Sequence, residues 1–92
     1  MKTVQKYVIP TDGQWHVLEL SGAIVHAEMD SASEFAVWAE VPAMVETFPT
    51  SFCAFMTDDM IPDGTTYRWT ARWATTSPAW HLYEQDAAGG GS

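Results

Sequence analysis

An all-β fold, a small antiparallel sandwich or barrel of about seven strands with one crossover loop, is predicted by three observations. Turn-forming clusters recur at short intervals: PTDG at 10–13, SG at 21–22, DSAS at 30–33, IPDG at 61–64 and TTSP at 75–78. Between them lie short runs rich in Val, Thr, Phe, Tyr and Trp, side chains that suit a pleated, half-buried surface. Within most of these runs, side-chain character alternates with the two-residue period of a strand.

The elements follow in order. In residues 3–9, Val4, Lys6 and Val8 share one face and Thr3, Gln5, Tyr7 and Ile9 the other, and neither face is clearly polar. Residues 14–20 set His16, Leu18 and Leu20 against Trp15, Val17 and Glu19. Residues 23–29 place Ala23, Val25, Ala27 and Met29 inward and Ile24, His26 and Glu28 outward. Residues 34–41 place Phe35, Val37, Ala39 and Val41 inward, which leaves Trp38 as a candidate exposed aromatic. Pro42 and Pro49 each lack a backbone donor and bracket the stretch 42–50, which reads as a crossover loop with room for one helical turn. Residues 51–57 resume as a strand, DDMIPDG forms a loop, and residues 66–73 and 79–84 make a closing hairpin.

That hairpin contains RWTARWATTSPAWHLYE (68–84), where Arg and Trp interleave as they do on a single-strand nucleic-acid platform. Such a platform needs its rings and cations in one groove. The period instead puts Tyr67, Trp69, Ala71 and Trp73 on one face and Thr66, Arg68, Thr70 and Arg72 on the other. The segment therefore reads as a core strand, with its arginines outside and within reach of acids such as Glu84 or Glu28.

Composition narrows the function classes. The 92 residues make one domain, 1–86, with AAGGGS at 87–92 read as an added flexible linker. Twelve Asp and Glu against four Lys and Arg give a net charge of −8, which opposes nucleic-acid binding and favours a basic protein partner. Cys53, the single cysteine, lies in the apolar run SFCAFM and reads as a small buried hydrophobe in a reducing compartment. Neither a signal-peptide pattern nor a span of ~20 apolar residues is visible, so a cytoplasmic protein without a membrane partner is expected.

No residues are assigned to catalysis, a cofactor or a metal. His16, His26 and His81 show no HxH or HxxxH spacing. Asp58, Asp59 and Asp63 resemble a calcium loop only in part, because Trp69 stands where the bidentate Glu would fall, and a turn held by Asx side chains is the simpler account. There is no GxSxG elbow, no glycine-rich phosphate loop before the tail, and no base or cation beside Cys53 in the sequence. A non-enzymatic protein is expected.

KYVIP near the start, VWAEV in the middle, IPDG before the last hairpin and AWHLYE at the close resemble a family of short uncharacterised proteins encoded mainly by tailed bacteriophages. The resemblance covers about residues 1–85, and the KY-x-IP opening and WHLYE ending are its most specific parts. Many family members carry a GTGHP-like stretch where this chain has MTDDM, a departure that adds two local negative charges. The resemblance implies a compact β-rich domain and an accessory protein that acts in the host cytoplasm by binding a host bacterial protein, for host takeover or against host defence. Asp58, Asp59, Met60, Ile61 and Asp63 are the candidate contact residues, since apolar side chains beside acids form a hot spot with a charged rim. Trp38, with the 42–49 loop, is a second candidate patch. Two other readings stay open: a protein that sequesters a small ligand or nucleotide signal between protomers, and a minor structural or assembly component whose strand edges pair in a homo-oligomer.

Overall fold

A computed structural model describes residues 1–86. Residues 87–92, read above as a linker, lie outside the described residues. The strands in chain order are β1 (Lys2–Pro10), β2 (His16–Leu20), β3 (Ile24–Ser31), β4 (Glu34–Pro42), β5 (Phe48–Met56), β6 (Thr65–Arg72) and β7 (Ala79–Gln85). They form two antiparallel sheets, ordered β1-β4-β3 and β2-β5-β7-β6. The sheets stack without closing into a barrel, so of the two architectures left open by the sequence the sandwich is the one adopted. The shortest dimension is 16 Å, as expected for two layers about 10 Å apart with side chains on their outer faces.

The core lies between the inner strands. Ile9, Phe35, Val37, Phe52 and Leu82 are fully buried and belong to one cluster. Register explains their meeting: Ile9 and Met29 flank Phe35 across the three-stranded sheet, and Ala54 and Trp69 flank Leu82 across the four-stranded one. Burying each of the larger side chains stabilises the fold by about 1.5–3 kcal/mol. The turn between β2 and β3 is fastened to the end of β4, where the Glu40 N–H donates to the Ala23 carbonyl at 2.9 Å. Gly22 makes that approach possible, because a Cβ there would collide with the Glu40 carbonyl oxygen.

Several sequence expectations are corrected. In β3 the register shifts between Ile24 and His26, so Ile24 packs on the core and Val25 is exposed, the reverse of plain alternation. A further shift in β3 falls between Met29 and Ser31, and one in β6 falls between Tyr67 and Trp69. Arg68 is the extra residue of this bulge, and two consecutive residues oppose one partner. Tyr67 pairs with Tyr83 and is 51% exposed, Trp69 and Ala71 pack on the core, and Trp73 lies beyond the strand end at 52% exposed. Arg68 is consequently on the side of Trp69, where it pairs with Glu84 as one of the two acids named above. Finally, β4 runs through Pro42 and β5 begins at Phe48, so the crossover is residues 43–47 with no helical turn, and Pro49 sits inside a strand opposite Glu19. The 43–47 segment does connect the two sheets, but the β1–β2 and β2–β3 connections pass between them as well, so three crossovers stand where one was predicted.

Candidate functional site

The outer face of the four-stranded sheet carries a row of rings in edge-to-face contact. Trp15 meets Phe55 at 6.0 Å between centroids, Phe55 meets Tyr83 at 5.8 Å, and Tyr83 meets Tyr67 at 5.7 Å. The row crosses the sheet from the residue before β2 to β6. Alternation sets Phe55 and Tyr83 one residue out of phase with the inward Ala54 and Leu82, and the β6 bulge turns Tyr67 to the same outer face although it stands two residues before the inward Trp69. Offset edge-to-face contacts of this kind contribute about 0.5–1.5 kcal/mol each beyond their area. They also fix the rings in place.

The loop from Thr57 to Gly64 folds back onto this face. Asp58 is left-handed at φ 75°, a conformation Asp tolerates better than most residues. The Asp59 carboxylate accepts the Met56 N–H at 2.8 Å, and its own N–H donates to the Met56 carbonyl at 3.1 Å, which closes the end of β5. Gly64 at φ 78° ends the loop, and the Thr65 hydroxyl donates to the Pro62 carbonyl at 2.8 Å. These are the Asx-type contacts expected of the turn.

His81 joins the loop to the sheet. One ring nitrogen, Nε2, is 2.9 Å from the Thr57 hydroxyl, and Nδ1 is 2.9 Å from the Thr70 hydroxyl, which in turn is 2.8 Å from the Tyr67 hydroxyl. With both nitrogens engaged, the imidazole acts as a bracket between β6, β7 and the loop. A shallow cavity of about 210 Å³ lies over it, lined by Asp58, Asp59, Ile61, His81 and Tyr83 among others. Met60 stays outside at 91% exposed.

The loop brings three exposed acids, Asp58, Asp59 and Asp63, to this side of the sheet. Cys53, fully buried beneath the ring row, has its thiol pKa pushed up, first by burial and then by the charges of Asp12 and Asp59. Asp12 is itself held below the usual carboxylate value, chiefly by its hydrogen bond with His16 at 2.8 Å and then by the Gln14 N–H. Lys2 and Lys6 are paired elsewhere, with Glu40 at 2.9 Å and Asp30 at 2.7 Å.

Of the predicted contact residues, Asp58, Asp59 and Ile61 converge on the shallow cavity, and Met60 and Asp63 are exposed in the same loop. Trp38 does not join them. It lies on the outer face of the other sheet, half-buried, with the His26 ring 5.3 Å away and the Lys6 ammonium 5.8 Å over its own ring. The 43–47 segment, with Met44 fully exposed in a left-handed turn, lies at the end of the sandwich where β4 stops and β5 starts. The three histidines stay apart with separate partners, and no group of three or more His, Cys, Asp or Glu among the described residues is placed to hold a metal. No described helix is long and apolar enough to cross a membrane.

The ring row was missed by residue-level reasoning. Plain alternation put Tyr67 on the core face with Trp69, and it is the β6 bulge, with a strand order the sequence does not display, that brings it beside the other rings.

No curated protein and no solved structure matches the chain. A family match covers residues 1–90. The chain belongs to the family described as Domain of unknown function (DUF7352).

Proposed function

We propose that the protein is a phage accessory protein without enzymatic activity that binds a basic surface on a host bacterial protein in the host cytoplasm. The observation that carries the reading is the 57–64 loop seated on the aromatic outer face of the four-stranded sheet, with Met60 left 91% exposed beside Asp58, Asp59 and Asp63. Rigid rings next to an exposed methionine, rimmed by acids, provide a preformed apolar centre with a charged edge. The partner is basic by charge complementarity, since the loop carries Asp58, Asp59 and Asp63, all exposed, and the whole chain carries −8.

Capture from bacterial lysate with the tagged protein tests it. A specific protein retained by the native chain should be lost with Asp58→Lys/Asp59→Lys and kept with a control lysine at Val4, an exposed site on the opposite sheet. Equal retention by both variants contradicts the assignment of this loop.

A further inference from the structure

At the other side of the core, between the two sheets, a cavity of about 470 Å³ opens at the end of the sandwich where β2 stops and β3 begins. Its size is within the ~300–1,000 Å³ of small-molecule sites. Leu20, Ile24, Phe48 and Trp69 give it apolar walls, and Ser21, Thr50, Arg68 and Glu84 supply the polar groups. The β6 bulge is what puts Arg68 beside Trp69 instead of across the sheet from it.

Arg68 directs both Nε and Nη2 to the same oxygen, Oε1 of Glu84, each at 2.8 Å. The pair lines the cavity with donor and acceptor groups that together carry no net charge. Ser21 also lines the cavity, and its Oγ is buried without a partner among the described residues, a state that calls for an explanation. One wall is braced: the His26 ring meets Trp69 edge-on at 5.7 Å and holds its plane. Gly22, close against the Glu40 backbone, fixes the turn that forms the rim.

We infer that this cavity binds an uncharged nucleobase, as the free base or nucleoside, lying against Trp69 and Phe48 with its donor–acceptor edge on Arg68 and Glu84. Aromatic walls suit a planar ring of any base, and donor and acceptor groups together match the edge by which bases are read. A phosphate is not part of the ligand. The one cation here is neutralised by Glu84, and the −8 charge of the chain repels anions. The site is separate from the docking face, so either assignment can fail alone.

Saturation-transfer difference NMR on the native protein, with adenosine, guanosine, cytidine and uridine and their 5′-monophosphates, tests the inference. Transfer to the base protons of at least one nucleoside is expected, with weaker binding of its monophosphate. Glu84→Gln should lower that nucleoside's affinity about tenfold or more, as loss of a charge-assisted hydrogen bond does. Phe48→Ala, at a wall position 61% exposed and outside the buried cluster, should weaken binding with the amide spectrum elsewhere unchanged. No transfer to any nucleoside, equal binding of the monophosphate, or unchanged affinity in Glu84→Gln would overturn it.

Discussion

Gly22 shows how one missing side chain positions a surface. Its turn is pressed against the Glu40 backbone, and Gly22→Ala would force the Cβ into a carbonyl oxygen and the ring of Pro42. Overpacking against backbone costs about 1–3 kcal/mol, so the urea midpoint of Gly22→Ala should fall while its unfolding slope stays unchanged. Asp12 acts through charge. Its folded pKa lies below the ordinary 3.8, mainly because His16 hydrogen-bonds the carboxylate. A depressed carboxyl contributes stability in full above its unfolded pKa and loses it as pH falls through the folded value. An NMR titration of the Asp12 side-chain carbon should therefore give a midpoint below 3.8, and His16→Ala should move it back towards 3.8.

At the scale of the element, β6 separates what the sequence joined. RWTARWATTSPAWHLYE looks like one aromatic unit, and a strict two-residue period sends Tyr67, Trp69 and Trp73 to a common face. The bulge at Arg68 breaks that period, so Trp69 is inside while Tyr67 and Trp73 are not. Trp69→Ala should cost about 2–3 kcal/mol, at or below the low end for a Trp truncation because the ring is only half-buried. Trp73→Ala should stay within about 0.5 kcal/mol, as exposed substitutions do. Thermal or urea unfolding of the two variants distinguishes them. Strand number, the closing hairpin, the crossover from β4 to β5 and the inward set Phe35, Val37 and Ala39 were legible because turn chemistry and alternation are local. The three register shifts were not, since an extra residue is set by what the partner strand offers. Pro49 misled for a related reason: it removes a donor, but its strand opposes only the short β2 there, and the break starts after Pro42 instead. The acidic loop was legible as a turn, whereas its neighbours on the sheet were not.

At the scale of the molecule, two outer faces of one sandwich differ in character. The three-stranded sheet presents ion pairs, Lys2 with Glu40 and Lys6 with Asp30, and half-buries Trp38. The four-stranded sheet presents the ring row, the His81 bracket and the acidic loop. Trp38 and the loop are thus on opposite sides and cannot contact one small epitope together, so the proposed reading assigns docking to the loop side alone. A photo-crosslinking amino acid placed at Met60 or at Val4 reports this directly, because both positions are exposed and lie on opposite sheets. In bacterial lysate, position 60 should give one discrete crosslinked host protein, abolished by Asp58→Lys/Asp59→Lys, and position 4 should give none. The same adduct from both positions, or an adduct from position 60 that survives the lysines, would contradict a partner held by this face.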